Sequence, residues 1–188
     1  VFQNTHPLHI EIGMGKGQFL LTLAAQNPEI NYIGIERYSS VLLRAVEKFQ
    51  TMENTPSNIR FICMDAHEIA EVFSPGEVSR IYLNFSDPWP KKKYQKRRLS
   101  SAEFLKIYRT VLSDHGKILM KTDNVDLFED SVLYFQENGF LLTDFSVDYR
   151  RKEHPEDAIT EYESKFMEEG MPIYRLCAVD TVKHGDPQ

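Results

Sequence analysis

The stretch Leu8-His9-Ile10-Glu11-Ile12-Gly13-Met14-Gly15-Lys16-Gly17 decides the fold of this 188-residue chain. An apolar strand pattern closes with an acid, three glycines follow at alternate positions, and a helical pattern begins at Gln18. Glycine permits a positive φ and, having no side chain, lets a ligand lie against the backbone. The stretch therefore predicts a strand, a ligand-binding loop and a helix.

The glycine spacing separates two classes of ligand. In the dinucleotide fingerprint G-x-G-x-x-G, the third glycine stands three positions after the second. That position is Gln18 here, and Glu11 would place a negative charge beside a pyrophosphate. A ligand with a sulfonium and a free amino group, such as S-adenosylmethionine, favours that carboxylate. A dinucleotide, or a turn that binds nothing, remains the alternative at this point.

Two further strand patterns also lead into acids. Asn31–Glu36 ends in Glu36, and Ile59–Cys63 is followed by Asp65. The carboxyl ends of parallel strands meet at one edge of the sheet, where α/β folds bind ligands. Glu36 follows the glycine loop at about the distance, roughly 20 residues, expected of a ribose ligand. Asp65 is suited to the exocyclic amine of adenine, although either acid can instead cap a helix.

A stiff loop and a basic run follow the fourth strand pattern. The loop Phe85–Pro90 contains two prolines and the only tryptophan of the chain, which is unusual for a loop that merely connects two elements. In Lys91–Arg98, six of eight residues are basic and no acid is interleaved, although the whole chain carries a net charge of −6. Such a run can be a solvated face, but the local repulsion favours a polyanionic partner, and nucleic acid above all.

The order of patterns predicts the fold class. Strands and helices alternate, and a closing antiparallel hairpin follows, which indicates an α/β fold with a mostly parallel seven-stranded sheet and helices on both faces. Further predicted elements are helices at Gln18–Gln26, Ala66–Val72, Ser100–Leu112 and Val125–Asn138, and strands at Arg80–Asn84, Lys117–Thr122, Phe140–Tyr149 and Met171–Val179. The polar connection 150–164 is of a kind that is often functional or mobile.

Composition limits the remaining classes. With 41% hydrophobic and 27% charged residues, we expect one globular domain over 1–188, and because the chain opens at Val1 we expect a natural extension before it. Neither a signal peptide nor a membrane-spanning run is recognisable. Cys63 and Cys177 lie in apolar strand-like runs, which predicts buried free thiols in a reducing cytoplasm. The six scattered histidines and unpaired cysteines predict no metal site.

An ordered set of motifs closely resembles the bacterial tRNA (guanine-N7)-methyltransferase family over nearly the whole chain. The glycine loop is shared by many methyltransferases, whereas Asp87-Pro-Trp-Pro-Lys-Lys92 followed by Lys96-Arg-Arg98 is highly specific. The full set is Glu11–Gly17, Gly34–Glu36, Asp65-Ala66, Asn84–Lys93, Lys96–Leu99, Lys121–Asn124 and Thr160–Glu163. The resemblance implies a Rossmann-like class I methyltransferase fold, S-adenosyl-L-methionine as methyl donor with S-adenosyl-L-homocysteine as product, and methylation of guanine 46 in the variable loop of tRNA.

The resemblance also implies roles for individual residues, with Asp87 in the catalytic place. The donor-binding residues would be Glu11, Gly13, Gly15, Glu36, Asp65, Ala66 and Asp87. The substrate-binding residues would be Lys91, Asp123, Thr160, Glu161, Tyr162 and Glu163. The RNA-binding residues would be Lys93, Tyr94, Gln95, Lys96, Arg97 and Arg98. The expected partner is tRNA, without a membrane or an obligate protein partner.

Other functions compete with this interpretation. Asn84–Pro90 faintly resembles the Asn-Pro-Pro-aromatic loop of enzymes that methylate an exocyclic amine of a nucleobase, and the methylated nucleoside distinguishes the two. An inactive methyltransferase-like RNA-binding subunit would keep the basic run but could lose the acids, whereas all four are present here. The glycine spacing disfavours a nicotinamide dehydrogenase.

Overall fold

A computed structural model describes residues 1–182. The strands within that range are Leu8–Ile12 (β1), Asn31–Glu36 (β2), Ile59–Cys63 (β3), Val78–Asn84 (β4), Leu112–Thr122 (β5), Phe140–Ser146 (β6) and Tyr174–Asp180 (β7). The α-helices are Gln18–Gln26 (α1), Ser39–Gln50 (α2), Ile69–Val72 (α3), Ala102–Val111 (α4), Val125–Glu137 (α5) and Glu161–Glu168 (α6). Short 3-10 helices span Ala66–Glu68, Lys92–Arg97 and Tyr149–Arg151.

The strands form one sheet in the order β3-β2-β1-β4-β5-β7-β6. Strands β1 to β5 pair in parallel, whereas β7 runs antiparallel to both of its neighbours, β5 and β6. The predicted architecture, a mostly parallel seven-stranded sheet with an antiparallel pair at its C-terminal side, is confirmed.

Helices cover the sheet on both faces. The side chains of α3, α4 and α5 pack with alternate residues of β1, β4 and β5 in one apolar cluster. The side chains of α1 form the second cluster with Tyr32, Ile59 and Tyr82 on the opposite face. Every residue of β1 and β2 is buried, which explains why these strands are largely apolar rather than alternating.

Strand β5 begins at Leu112 rather than at the predicted Lys117, because a bulge joins the intervening segment to the strand. The pairing between β4 and β5 jumps from Val78↔Leu112 to Arg80↔Lys117. The segment 113–116 therefore stays within an extended strand instead of reversing the chain. The predicted helix 66–72 is also divided, into a 3-10 turn and the short α3.

The two cysteines differ in exposure. Both are free thiols, and Cys177 on β7 is buried as predicted, but Cys63 is exposed and its predicted burial was wrong. Cys63 ends β3, the outermost strand, which has a neighbour on one side alone. No helix in the described part of the chain has both the length and the apolarity needed to cross a bilayer.

Parallel pairing brings the carboxyl ends of β1 to β5 to one edge of the sheet. Glu11 and Glu36 lie at the ends of β1 and β2, Asp65 follows β3, and the loop that contains Asp87 follows β4. The predicted convergence at this carboxyl edge is therefore a property of the topology.

Candidate active site

The loop between β1 and α1 wraps closely around the carboxyl edge. The Gly13 N–H donates to the carbonyl oxygen of Ile35 at 2.9 Å. At Gly15, φ is 57°, and an added Cβ would meet no atom within 4 Å. At Gly17, φ is 76°, and an added Cβ would lie 3.1 Å from the Cβ of Ala45. Positive φ thus requires glycine at both positions, and the backbone at Gly15 faces open space.

A cavity of about 400 Å³ opens beside this loop. Its size suits a small ligand, since such sites span roughly 300–1,000 Å³. Three segments form its walls, namely the glycine loop with α1, the loop after β4, and the start of α6. The lining residues include Glu11, Gly13, Gly15, Lys16, Asn84, Phe85, Thr160, Glu161 and Tyr162.

Glu11 is a buried acid with one unsatisfied oxygen. Its Oε1 accepts a hydrogen bond from Asn84 Nδ2 at 2.8 Å, whereas Oε2 has no partner among the described residues. Burial raises the pKa of Glu11 to about 8, against the opposing effects of the Asn84 bond and the Lys121 charge. A buried acceptor that faces a cavity fits a ligand with an ammonium group, which would supply both the missing bond and a compensating charge.

Glu36 accepts backbone hydrogen bonds from the glycine loop and from the start of α2. Its Oε2 accepts from the Gly15 N–H at 3.2 Å, and its Oε1 accepts from the Tyr38 N–H at 3.0 Å. The side chain is buried but does not line the cavity. Since each carboxylate oxygen has two lone pairs, Glu36 retains acceptor capacity, and its contact with ribose stays a prediction.

Asp65 caps a helix, which is the alternative role that the sequence left open. The His67 N–H donates to its Oδ1 at 3.0 Å, and this bond lowers the pKa of Asp65. Arg37 lies 3.7 Å from the other oxygen. Asp65 and the half-buried Ala66 stand outside the cavity lining, so their contacts with adenine stay predictions.

The loop after β4 is strained on both sides of Asp87. Phe85 and Trp89 have φ values of 51° and 41°, a conformation that costs about 1–3 kcal/mol in a residue other than glycine. Phe85 lines the cavity, and its ring stacks on Phe166 of α6 with 5.9 Å between centroids. Asp87 is exposed at the tip of this loop. Backbone strain of this kind gathers at functional sites, where the surrounding structure holds it.

Most of the basic run is accessible. Four lysines and Arg97 are exposed, and Tyr94 and Gln95 are half-buried. The guanidinium of Arg97 lies over two neighbouring rings, 5.1 Å from the centroid of Trp89 and 4.8 Å from that of Tyr94. The exposed lysines are Lys91, Lys92, Lys93 and Lys96.

Arg98 differs from the rest of the run. Its side chain is only 2% exposed, its Nε donates to the Pro88 carbonyl at 2.7 Å, and its guanidinium pairs with Asp130 at 2.5 Å. The chain leaves the 3-10 helix at Arg98 and directs this side chain inward. The predicted RNA contact of Arg98 conflicts with this placement, because a buried guanidinium does not reach a phosphate.

The start of α6 forms one wall of the cavity. Thr160 Oγ1 accepts from the Glu163 N–H at 2.9 Å, and Glu163 Oε2 accepts from the Thr160 N–H at 3.2 Å, which completes a capping box. Glu161 pairs with Lys48 at 2.6 Å and with Lys16 of the glycine loop at 3.6 Å. Tyr162 is exposed above the cavity. Thr160, Glu161 and Tyr162 thus lie where a ligand can reach them.

Glu163 lies behind this wall in a buried ionic cluster, which we define as Lys121, Arg150, Asp157 and Glu163. Lys121 Nζ donates to Asp157 and to Glu163, both at 2.8 Å. Arg150 donates to the same two carboxylates, both at 2.5 Å. Burial alone would raise the pKa of Glu163, but the two cations outweigh it and hold this pKa below its usual value.

No role was predicted from the sequence for Lys121, Arg150 or Asp157. The available signal was a lysine inside the apolar strand pattern Lys117–Thr122, since a lysine is almost never fully buried unless it is paired. Asp123, predicted to bind substrate, directly follows β5 and is half-buried, whereas Lys91 is exposed before the 3-10 helix. The structure thus brings the three residues to the same edge of the sheet on two loops: Asp87 and Lys91 lie on the loop after β4, and Asp123 lies on the loop after β5.

Solved methyltransferases share this fold. The antibiotic-resistance methyltransferase Kmr matches with a TM-score of 0.66 at 16% identity over 95% of this chain and 89% of that chain. The 16S rRNA methyltransferase KamB matches with a TM-score of 0.67 at 13% identity over 93% and 88%. The strand order is that of the class I methyltransferase fold.

Sequence comparison then gives the family. A profile described as "Putative methyltransferase" matches residues 5–176. The tRNA (guanine-N(7)-)-methyltransferase of Lachnoclostridium phytofermentans is 54% identical over 179 residues, which are 95% of this chain and 83% of the relative. That of Bacillus subtilis (strain 168) is 51% identical over 175 residues, 93% and 81% respectively. The chain belongs to the tRNA (guanine-N7)-methyltransferase family, and the expected resemblance is confirmed.

Proposed function

We propose that this protein transfers a methyl group from S-adenosyl-L-methionine to N7 of guanine 46 in the variable loop of tRNA, leaving S-adenosyl-L-homocysteine. Family membership over nearly the whole chain supports the reaction. The observation that carries it at the site is the unsatisfied Oε2 of Glu11, a residue that lines a cavity of suitable size at the carboxyl edge.

The residues at the cavity suit this donor. Glu11 would accept a hydrogen bond from its ammonium group, the backbone around Gly13 and Gly15 would lie against it, and Glu36 would bind its ribose hydroxyls. Asp65 and Ala66 would flank the adenine. S-adenosyl-L-methionine supplies a methyl group already activated by a positively charged sulfur, so we expect no metal requirement.

Guanine N7 presents a lone pair and releases no proton on methylation, so a strong base is unnecessary. The protein's part is to align N7 with the methyl group and to stabilise the cationic base, which are effects of orientation and electrostatics. Asp87 and Asp123 would accept hydrogen bonds from the N1 and N2 edge of guanine, while Lys91 would bind the adjoining phosphate. Thr160, Glu161 and Tyr162 would complete the substrate side, and Glu163 would act through the capping box.

An Asp87→Ala variant is expected to lose turnover far more than donor affinity. Removing one preorganised electrostatic contact costs about a hundredfold or more in kcat. Donor binding should stay within about threefold, because Asp87 is exposed at the loop tip and stands outside the cavity lining. Single-turnover kinetics and calorimetric titration of the donor measure the two effects. Comparable losses in both would assign Asp87 to donor binding.

A Lys96→Ala/Arg97→Ala double variant is expected to bind tRNA more weakly and with a flatter salt dependence. Each lost phosphate contact lowers the slope of log K against log [salt] by about 0.9. Filter binding of unmodified tRNA measures the slope. The salt concentration should range from about 50 to about 200 mM, where phosphate contacts affect affinity strongly. Lys106→Ala on α4, also exposed, is the matched control. An unchanged slope in the double variant would refute the basic anchor.

The reaction itself is tested by incubating the protein with labelled S-adenosyl-L-methionine and unmodified tRNA. Mass spectrometry of the digested nucleosides should find 7-methylguanosine, and a tRNA with adenine at position 46 should accept no label. A label on an exocyclic amine would replace this proposal with the competing methyltransferase reaction. Binding of tRNA without transfer would favour an RNA-binding subunit. We place the activity in the cytoplasm, in accord with the two free thiols.

A further inference from the structure

Arg98 belongs to the basic run in sequence but to the Asp87 loop in structure. Its guanidinium joins the carbonyl of Pro88, directly after Asp87, to the carboxylate of Asp130 on α5. Gln95 Nε2 also donates to Asp130, at 3.4 Å. The end of the basic run is therefore tied to α5 rather than directed to solvent.

The Pro88 carbonyl, which accepts the Arg98 hydrogen bond, lies next to a residue with a strained backbone. It forms part of the Pro88–Trp89 peptide, and Trp89 holds a φ of 41°, which a bulky residue rarely adopts. A hydrogen bond from a charged donor is among the stronger that a protein makes, and here the donor is buried. This bond fixes the plane of the Pro88–Trp89 peptide, one residue beyond Asp87, and thereby the path of the loop that contains Asp87.

The two residues after Arg98 also contact neighbouring elements. Leu99 Cδ1 lies 3.9 Å from the position that a Cβ on Gly13 would occupy. Ser100 Oγ and Ser131 Oγ of α5 are 2.7 Å apart and hydrogen-bonded. Residues 98–100 therefore lie between the glycine loop and α5, so the Arg98 side chain issues from a fixed segment.

We propose that Arg98, together with Asp130, is a positioning residue for methyl transfer that holds the strained loop and thereby sets the place of Asp87. This inference rests on the proposed function and divides the basic run in two. Lys91 to Arg97 contact the RNA, whereas Arg98 contacts only the protein and supports the group that binds the guanine.

The test is an Arg98→Lys variant, which keeps the charge but lacks the planar guanidinium. In Arg98, two separate nitrogens, Nε and Nη1, reach Pro88 and Asp130, and a lysine at the end of a differently shaped chain does not reproduce that geometry. We expect kcat to fall about tenfold to a hundredfold, as for a small misplacement of a reacting group. The dissociation constants for donor and tRNA, and the salt slope of tRNA binding, should not change. Arg97→Ala is the contrasting control, because its slope should fall by about 0.9.

Trp89 supplies a readout that does not depend on activity, since it is the only tryptophan of the chain. Quenching of its fluorescence by acrylamide should increase in Arg98→Lys and stay unchanged in Lys96→Ala. Asp130→Asn, at a partly exposed partner, should reproduce both effects in part. The double variant should be no worse than Arg98→Lys alone, because the two residues act through one contact.

Full kcat together with unchanged quenching in Arg98→Lys would overturn the inference. A salt slope that falls as far as in Arg97→Ala would also overturn it, since Arg98 would then contact a phosphate. If the unaltered protein methylates no tRNA nucleoside, the proposed function fails separately. The quenching comparison then still decides whether Arg98 holds the loop.

Discussion

A Glu11→Gln variant is expected to unfold at a higher temperature than the unaltered protein at pH 8.5, while it loses affinity for S-adenosyl-L-methionine. Burial raises the pKa of Glu11 from 4.5 to about 8, so the folded state keeps a proton that the unfolded state releases. Stability therefore falls as the pH rises from about 4.5 to about 8. Glutamine does not ionise, and between pH 5 and 8.5 its stability relative to glutamate should rise by roughly 4 kcal/mol.

The same variant should bind the donor about tenfold or more weakly, because a hydrogen bond to a charged group is worth about 1.5–3 kcal/mol. Calorimetric titration measures the affinity, and thermal unfolding at the two pH values measures the stability. Glu36→Gln is the matched control: it also replaces a buried strand-end acid, but both of its oxygens accept backbone N–H bonds. Glu36→Gln should lose stability, because the NH₂ group of glutamine cannot accept one of these two bonds. Equal pH dependence in Glu11→Gln and the unaltered protein would contradict the argument.

A Lys121→Met variant is expected to lose roughly 3–5 kcal/mol of stability, since removing one member of a buried ion pair leaves an uncompensated charge. Lys121 is 3% exposed and its two carboxylate partners depend on it and on Arg150. At 188 residues this corresponds to a fall in Tm of about 10 °C. The deficit should shrink at acid pH. Without Lys121, one of the charges that lower the pKa of Glu163 is lost, and protonation of Glu163 then removes the excess negative charge.

Two variants test the cause of that loss. The double variant Lys121→Met/Glu163→Gln restores the charge balance and should recover part of the lost stability. If Lys121→Met instead destabilised the protein through poor packing, the second substitution would recover nothing. Lys106→Met, at an exposed site, should change stability by no more than about 0.5 kcal/mol. Circular dichroism during thermal unfolding makes both comparisons. A loss below about 1 kcal/mol in Lys121→Met would mean that the cluster is not a dominant support.

The elements whose limits are marked locally were predicted from sequence. Gly17 before α1 and Asn27-Pro28 after it fix that helix, and β2 and β3 likewise have the predicted bounds. The start of β5 was not predictable, because the bulge depends on its pairing with Val78 and Arg80 of β4. A single sequence contains the residues of the bulge but not the partner strand that defines it.

The site divides in the same way. Glu11 was found because an acid at a strand end beside glycines is a local pattern, and parallel topology then places its side chain at the cavity. The burial of Glu163 could not be predicted, because its partners Lys121 and Arg150 lie 42 and 13 residues away in sequence. Arg98 looks like its basic neighbours in the sequence, and only the direction in which the chain leaves the 3-10 helix separates it from them.

The capping box at Thr160 affects how much free energy ligand binding costs at this pocket. Glu163 closes the first turn of α6 and also pairs with Lys121 and Arg150, so unwinding this wall would leave the two buried cations to share Asp157. The conformational entropy of ordering it is lost when the chain folds, not when a ligand arrives. The pocket is thus preorganised, and its affinity is not reduced by a coupled folding step.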